Sequence, residues 1–276
     1  MPELPEVETI ARDVRPLLQG RTIRRARVHK TDILKNSRRP AFERAVTGRR
    51  IMSVGRRAKN LVLLLDDDRR IVIQPGMTGA MSVSAPDPQP LTPDPYSVIE
   101  LHLDSGATAV YRDVRRLGRV YLFTPAQWAR HDGRIGPEPL ESSFTGSELW
   151  RRLRGSRAAV KKVIMDQRRL AGVGNIYANE ALWIAGIDPS RESRRVSEEE
   201  AGRLRDAIVE VLGRSIEGRG TTVRDYRTGT GGPGSFQGRL AVYERAGEPC
   251  PRCGRRIVGT HAVDARSSYL CPGCQR

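Results

Sequence analysis

Apolar and polar positions alternate with two different periods along the chain, and the change of period predicts two kinds of structure. Apolar residues recur at helical spacing from Val7 to Leu18, behind Pro5 and ahead of Gly20, which is placed to end a helix. Short runs that follow alternate apolar with polar and predict strands separated by turns. These runs are 22–29, 51–54, 61–65, 71–73, 98–103, 108–111 and 120–123. Many short strands with glycine and proline between them indicate a β-sandwich or barrel-like domain behind a leading helix.

Helical spacing returns in the second half of the chain. Residues 147–153 and 158–167 have helical periodicity, and Ser197 with Glu200 forms a capping box before a long apolar stripe. Residues 217–237 contain six glycines and no clear periodicity, which predicts a long loop of the kind that is usually functional or disordered. Within the first half, 85–95 carries five prolines and predicts an exposed loop or a stiff linker.

The net charge narrows the class of partner. Lysine and arginine exceed aspartate and glutamate by 16, which favours a polyanion such as nucleic acid over the alternatives of a generally basic proteome or a membrane surface. Only 5% of the residues are aromatic, so a base-stacking platform for single strands is disfavoured and duplex DNA is favoured. No apolar run approaches the length of a membrane span, and the charged N-terminus does not resemble a signal peptide. We therefore expect a cytoplasmic, soluble protein. The expected oligomeric state is a monomer.

The last 27 residues contain all of the cysteines, in two closely spaced pairs. The spacing Cys250-x2-Cys253-x17-Cys271-x2-Cys274 is typical of a tetrahedral site for one Zn²⁺, with disulfides as the weaker alternative. A site closed by four thiolates leaves no position for water, so its expected role is structural. Within the interval, Ile257–Val258 and Ser268–Leu270 predict the two strands of a hairpin, and a segment of this size needs the metal in order to fold.

The N-terminus offers a nucleophile if Met1 is removed, as is usual before a small residue. Pro2 would then carry a secondary amine, and an α-amino group has a pKa near 7.7–8.0, well below that of lysine. Such an amine can attack a carbonyl carbon to give an iminium, and Glu3 beside it supplies an acid–base partner. The alternative is that these acidic residues merely cap an ordinary first helix.

Several motifs together resemble one known family. The start MPELPEVET, the segments QPGMTG and DVRRLG, the run AGVGNIYA and the four-cysteine terminus resemble the formamidopyrimidine-DNA glycosylase / endonuclease VIII family of bifunctional base-excision repair enzymes. With Leu4, the N-terminal stretch resembles the formamidopyrimidine branch, because the endonuclease VIII branch usually has glycine at this position. The resemblance covers essentially the whole chain, and it implies an enzyme that removes oxidised bases from duplex DNA and then cleaves the strand at the abasic site.

The resemblance implies the roles of the catalytic residues. Pro2 would form the Schiff base with the deoxyribose, and Glu3 would move protons. Lys59, within the RRAK segment, would contact phosphate and assist elimination. Arg266, five residues before Cys271, would contact the phosphate beside the lesion and assist the second elimination.

The resemblance also implies a set of DNA contacts. Met77 would fill the gap that a flipped base leaves, Arg115 would read the orphaned base, and Leu117 would wedge beside it. In the second half, Asn175 would cap the helix after the glycine turn and reach a phosphate, and Arg157 would contact the backbone.

Five positions depart from the family pattern and bear on the preferred lesion and opposite base. Gln74 and Tyr96 replace histidines, Val114 replaces a proline, Leu117 replaces an aromatic residue, and Ser156 replaces a lysine. The histidine at the position of Tyr96 commonly contacts DNA in the family, so the resemblance implies a DNA contact for Tyr96. Because leucine offers no flat face for stacking, the preference for the opposite base is in question.

The implied architecture is an α+β multidomain chain. We expect an N-terminal β-sandwich domain with a leading helix over 1–133, a helical domain with a helix–two-turn–helix motif over 134–238, and a zinc-bound β-hairpin over 239–276, with DNA in a basic cleft between the two domains. Two alternative functions remain open at this stage. They are an endonuclease VIII-like paralogue that prefers oxidised pyrimidines and a damaged-DNA binding protein without chemistry.

Overall fold

The computed structural model describes residues 1–84, 94–222, 228–263 and 265–276. Most of the proline-rich segment 85–95 and part of the glycine-rich segment 217–237 therefore lie outside the described residues. The chain divides into two compact units. Unit 1 contains residues 1–133 and 218–235, and unit 2 contains 134–217 and 236–276.

The described residues of unit 1 form two antiparallel sheets of four strands each. The first sheet has the order β1-β6-β7-β5 and the second has the order β2-β3-β4-β8. Apolar residues of both sheets join those of the first helix in one buried core, as the alternating pattern predicts. The strands are β1 (Ile23–Val28), β2 (Ile51–Arg57), β3 (Asn60–Leu65), β4 (Arg70–Gln74), β5 (Gly79–Ser84), β6 (Ser97–Leu103), β7 (Thr108–Asp113) and β8 (Arg119–Phe123).

The leading helix, α1 (Leu4–Leu18), forms where the sequence predicts it. Its apolar stripe, including Val7, Ile10 and Val14, is buried, and Pro5 occupies the first turn, where its missing N–H costs no hydrogen bond. The helix ends at Leu18, and Gly20 follows in the left-handed region with φ 82°. The helix therefore stops close to the predicted glycine, and α1 packs against β2 and β3.

Three elements of unit 1 were not among the sequence predictions. They are the strand β5 and two short helices, α2 (Arg39–Val46) and α3 (Pro125–Asp132). Both helices have proline in the first turn, but each spans only two turns and thus gives a weak periodic signal. The strand begins at a glycine of the QPGMTG segment, which predicts a turn more strongly than a strand.

Among the described residues, unit 2 contains four α-helices and a terminal hairpin. The longest helix packs against the first and third of the four, and the hairpin strands pair in antiparallel register. The elements are α4 (Gly146–Leu153), α5 (Val160–Met165), α6 (Asn175–Ala185), α7 (Glu198–Glu217), β9 (Val258–Thr260) and β10 (Ser268–Leu270). The fold class predicted from sequence is confirmed: a β domain, a helical domain and a four-cysteine hairpin. Among the described helices, none combines the length and apolarity needed to cross a membrane.

The predicted capping box forms at the start of α7. The Glu200 amide donates to Ser197 Oγ at 3.2 Å, and the Ser197 amide donates to Glu200 Oε2 at 2.9 Å. Glu200 also accepts two hydrogen bonds from the Arg191 guanidinium, at 2.7 and 2.9 Å. Burial raises the pKa of the Glu200 carboxyl, but the bonds from Arg191 and Ser197 outweigh it, so the net pKa lies below the ordinary value.

We expect Glu200→Gln to destabilise unit 2 at neutral pH by about 1 kcal/mol, because a charged cap and a bidentate ion pair are lost. A carboxyl with a lowered folded-state pKa contributes stability above its unfolded pKa and loses it as the pH falls through the folded value. Denaturant unfolding should therefore separate variant from wild type at pH 7, and the difference should shrink below about pH 4. The control is Glu199→Gln, since Glu199 is exposed in the same turn. Equal effects of the two variants at pH 7 would contradict the prediction.

Candidate active site and nucleic-acid interface

The predicted nucleophile and its acid–base partner lie at the N-terminus of α1. Pro2 and Glu3 are both buried, and Glu3 immediately precedes the helix, where the helix dipole favours its carboxylate. The structure includes Met1, so the Pro2 nitrogen is an amide here and becomes an amine only when Met1 is removed.

Glu6 fixes this end of the helix, a role that sequence reasoning missed. Its Oε2 accepts from the Glu3 amide at 2.8 Å, and its Oε1 accepts from the Thr221 amide at 2.8 Å. Thr221 belongs to the segment 218–235, which is part of unit 1. One buried carboxylate thus connects the backbone beside Pro2 to the beginning of the glycine-rich segment. The spacing of three residues from the helix start was the available signal, since it is that of a capping box.

Lys59 lies at the tip of the β2–β3 hairpin and is 5% exposed. The two-residue turn places Ala58 in the left-handed region with φ 53°, as tight hairpin turns require at one position. Arg56 supports the turn, since its Nη1 donates to the Ala58 carbonyl at 2.9 Å and its Nε lies 3.2 Å from Glu8 Oε2 on α1. The ion pair attaches the turn that carries Lys59 to the first helix, which also carries the predicted nucleophile at its start.

Four predicted DNA-contacting residues of unit 1 lie at one end of the first sheet. Tyr96 directly precedes β6, Met77 directly precedes the turn into β5, and Arg115 and Leu117 follow β7. The strand register brings these ends together, because Gly79 pairs with Asp113 and Arg112 pairs with Ser97. The sequence motifs are far apart in the chain, and antiparallel pairing makes them neighbours.

Apolar side chains at this end of the sheet are exposed. Leu117 is 53% exposed, Val114 and Tyr96 are each 42% exposed, and Met77 is half-buried. The guanidinium of Arg112 lies over the ring of Tyr96, with its carbon 5.0 Å from the ring centroid. A group of exposed apolar residues with an exposed arginine beside it, Arg115, is suited to contact bases rather than to pack a core.

The amide side chain of Gln167 binds two backbone groups of the glycine turn in unit 2. Gln167 Oε1 accepts from the Gly172 amide at 2.8 Å, and Gln167 Nε2 donates to the Val173 carbonyl at 2.8 Å. Gly172 has φ 78°, so the turn requires glycine there. The next helix, α6, begins directly after this turn.

The prediction that Asn175 caps α6 is wrong. Gly174 is the N-cap and Asn175 is the first helical residue. Its Nδ2 donates instead to the carbonyl of Ser267 at 3.2 Å, which draws the side chain away from the capping position. Arg157 is exposed, whereas its neighbour Ser156 is half-buried and accepts from the Ala158 amide at 3.1 Å. Ser156 is thus a turn residue, and the cation at this place is Arg157.

Arg266 is exposed and stands directly before a firmly held stretch of backbone. The carbonyl of Ser267 accepts from Lys161 Nζ at 2.9 Å, and the Ser268 hydroxyl lies 2.8 Å from the same nitrogen. Asn179 Oδ1 accepts from the Tyr269 amide at 2.8 Å. Lys161 is fully buried and was not singled out from the sequence, although a lysine inside the apolar run of α5 was a usable signal.

The four cysteines form a group that fits one Zn²⁺. Their sulfur atoms all lie within 4.8 Å of one another, and none of them is in a disulfide. Sulfurs arranged tetrahedrally about 2.3 Å from one zinc ion lie about 3.8 Å apart. The Cys250–Cys274 and Cys253–Cys271 sulfur distances are 3.9 and 3.4 Å. The predicted structural zinc site is therefore confirmed in its ligands and spacing, and the disulfide alternative is excluded for this structure.

The chain matches three family models that together cover most of its length. They are the formamidopyrimidine-DNA glycosylase N-terminal domain over residues 1–120, the H2TH domain of the same enzymes over 135–227, and the zinc finger found in FPG and IleRS over 247–276. The order of these domains matches the β unit, the helical unit and the cysteine hairpin. The fold and the zinc site thus define a DNA glycosylase of the helix–two-turn–helix class.

Full-length relatives agree with the domain matches. Formamidopyrimidine-DNA glycosylases of Chloroflexus aurantiacus and Thermomicrobium roseum are each 43% identical, over all of this chain and 98% and 99% of theirs. The crystal structure of the Thermus thermophilus MutM (FPG) protein is 40% identical with a TM-score of 0.87, covering 99% of this chain and 98% of its own. The chain belongs to the formamidopyrimidine-DNA glycosylase family.

A structure with DNA is also similar. The complex between the Lactococcus lactis FPG (MutM) and a Fapy-dG containing DNA has a TM-score of 0.89 at 29% identity, covering 99% of this chain and all of that one. The resemblance stated from sequence is thus confirmed over the whole chain, on the formamidopyrimidine side of the family.

Proposed function

We propose that this chain removes formamidopyrimidine and 8-oxoguanine lesions from duplex DNA and then cleaves the strand as an AP lyase. The observation that carries the proposal is the Pro2-Glu3 start, fixed at the helix terminus, in a chain that belongs to the glycosylase family from end to end. The chemistry named for its relatives needs a nucleophile and a proton carrier, and these two residues supply them.

The first step is a substitution at C1′ of the damaged nucleoside. The lone pair of the Pro2 nitrogen forms a bond to C1′, the glycosidic bond breaks, and the base leaves with the bonding pair and a proton. Glu3 moves protons to and from the sugar ring oxygen, so that the ring opens and the iminium between Pro2 and C1′ is formed. A secondary amine suits this step because the iminium keeps its positive charge without needing a proton.

Strand cleavage follows from the iminium. Its positive charge acidifies the C2′ proton, and loss of that proton expels the 3′ phosphate by β-elimination. A second elimination expels the 5′ phosphate, and water then releases Pro2 from the remaining sugar fragment. Lys59 and Arg266 hold the phosphates and assist their departure.

Attack at C1′ requires the damaged nucleotide to leave the stack, because a stacked base blocks the approach. Met77 fills the gap on the damaged strand, Arg115 offers its planar donor fork to the orphaned base, and Leu117 wedges beside that base. Tyr96, Arg157 and Asn175 contribute contacts along the backbone. Zinc, held by the four cysteines, supplies structure alone and keeps the hairpin that carries Arg266 folded.

The test is a comparison of lesions in otherwise identical duplexes. We expect excision of formamidopyrimidine and 8-oxoguanine to exceed that of thymine glycol, and borohydride to trap a covalent adduct with abasic-site duplex. The matched control is an undamaged duplex under the same conditions. A clear preference for thymine glycol would contradict the proposed substrate class. Absence of any trapped adduct would instead favour a damaged-DNA binding protein without chemistry. In the cell we propose that the enzyme works in the cytoplasm on chromosomal DNA.

A further inference from the structure

Asp113, the last residue of β7, is fully buried and forms the centre of a polar cluster. Its Oδ1 accepts from the Thr78 hydroxyl at 2.6 Å and from the Arg116 amide at 3.1 Å. Its Oδ2 accepts from the Gly118 amide at 2.7 Å and lies 3.3 Å from the Tyr111 hydroxyl. All four partners are donors, so both carboxylate oxygens are saturated and the group cannot turn without losing bonds.

The cluster joins three loops that the sequence keeps apart. The Thr78 hydroxyl donates to Asp113 and accepts from the Arg115 amide at 2.9 Å, which connects the loop before β5 to the loop after β7. The Asp113 amide donates to the Tyr96 carbonyl at 3.1 Å and adds the loop before β6. Each of these loops carries a residue that we place on DNA.

Glycines allow the loops to touch through their backbones. A Cβ built on Gly76 would lie 2.6 Å from the Gly118 nitrogen and 2.8 Å from the Leu117 carbonyl carbon. A Cβ on Gly118 would overlap the Tyr111 hydroxyl and lie 2.8 Å from Asp113 Oδ2. The loop before β5 and the loop after β7 are therefore packed at a separation that no side chain can enter.

The carboxylate also holds a strained turn. Arg116 has φ 51°, a left-handed conformation that is costly for a residue with a side chain, and its amide is bound to Asp113. Burial and the negative charge of Asp113 raise the pKa of the Tyr111 phenol, so it remains a protonated donor to the cluster. Backbone strain retained beside an exposed arginine and leucine indicates that the shape of this turn matters for function.

The residues at the tips of the joined loops also contact each other. Arg115 Nη1 lies 3.5 Å from Met77 Sδ. We propose that Asp113 is a positioning residue that makes Met77, Arg115 and Leu117 a single preformed unit, so that filling the gap and reading the opposite base occur together. This inference rests on the proposed function, since it assigns the cluster to the same DNA-binding end of the sheet.

The most informative substitution is Asp113→Asn, which preserves the shape of the side chain and replaces one acceptor oxygen with an NH2 donor. Whichever way the amide is turned, its NH2 group faces a backbone N–H, either that of Arg116 or that of Gly118. The hydroxyls of Thr78 and Tyr111 can rotate, but a backbone N–H cannot. One backbone N–H therefore always faces an NH2 group instead of an acceptor. We expect the loop before β5 and the loop after β7 to separate as a result. Asp104→Asn, an exposed position in the β6–β7 turn, is the matched control.

A second pair of variants distinguishes loss of the hydrogen-bonded cluster from a folding defect. Thr78→Val removes the bridging hydroxyl with little change of volume, and Thr78→Ser retains it. If the hydrogen bonds of the Thr78 hydroxyl are required, Thr78→Ser should retain the excision activity that Thr78→Val loses. Thermal unfolding of each variant reports whether the protein remains folded.

The readouts separate positioning from general stability. We expect Asp113→Asn and Thr78→Val to lower excision from lesion duplex by about 10- to 100-fold, because small misplacements of binding groups have effects of that size. The ratio of excision opposite cytosine to excision opposite adenine should move toward one, whichever of the two opposite bases wild type prefers. Lyase activity on a single-stranded abasic oligonucleotide should stay within about twofold of wild type, because no opposite base needs to be read there.

A binding readout needs no catalysis. Wild type should change the fluorescence of 2-aminopurine placed opposite a tetrahydrofuran abasic analogue, and both variants should lose most of that change. Folded variants that keep the excision rate, the opposite-base ratio and the fluorescence change would overturn the inference, as would a serine variant no better than valine. A parallel loss of lyase activity on the single strand would also overturn it, by showing a general structural defect. A wild type that excises no lesion yet gives the fluorescence change would contradict the proposed function alone.

Discussion

Replacing Pro2 with glycine is expected to lower both base excision and abasic-site cleavage by at least about 100-fold, because a secondary amine that forms a permanently charged iminium is lost. Glycine still presents a primary amine, but that amine lacks the pyrrolidine ring that fixes the direction of the lone pair. The adduct trapped by borohydride should fall in the same proportion. Binding to a tetrahydrofuran duplex should remain close to wild type, because the DNA contacts are unaltered.

The matched control for this experiment keeps every side chain and blocks only the nitrogen. Protein that retains Met1, prepared with methionine removal inhibited and verified by intact mass, carries Pro2 as an amide. It should be as inactive as the glycine variant. Full activity with Met1 retained would exclude the N-terminal amine as the nucleophile, and an unchanged adduct yield in the glycine variant would point to another amine.

Removing the zinc is expected to have the second large effect. The small core around the cysteines contains Val242 and Ile257 and is too small to fold the hairpin without metal. Structural zinc contributes about 10 to 16 kcal/mol in comparable peptides, so its loss should unfold this segment. Since Arg266 stands before the second hairpin strand, affinity for abasic duplex should fall by about 100-fold or more under salt conditions held constant.

The zinc prediction is checked by titrating a chelator while recording zinc release, thiol reactivity and DNA affinity on one sample. Cys274→Ala should lose metal readily, whereas Cys274→His should retain it better, because zinc accepts three sulfurs and one imidazole nitrogen. DNA binding should follow zinc content across these proteins. DNA affinity that persists after complete zinc release would show that the hairpin does not contribute to binding.

Much of the fold could be predicted because local patterns and tertiary structure agree. The stripe from Val7 to Val14 is buried, the Ser197 capping box forms, and the cysteine spacing gives a zinc site. These features depend on residues a few positions apart, or on a metal that selects its own ligands. The helices α2 and α3 were missed because two turns give too few periodic positions.

For the candidate site too, local motifs predict some features and miss those that depend on distant residues. The identities of Pro2, Glu3, Lys59 and the cysteines follow from motifs that can be read one at a time, and their positions agree with helix and hairpin rules. Asn175 illustrates where this fails. Its local context predicts a cap, and the carbonyl of Ser267, 92 residues away in sequence, takes its amide instead. Local propensity gives way when a distant group offers a buried partner.

By itself, the sequence determined which family the chain belongs to and which four cysteines form the metal site, and it supplied the prediction of which residues carry the chemistry, because each of these is encoded in short segments. Only the tertiary structure decided that Thr78 and Asp113, 35 residues apart, would share a hydrogen bond and that Lys161 would hold the hairpin, 106 residues away. Such contacts depend on strand register and on buried donors that need an acceptor. No local pattern contains that information until the chain has folded.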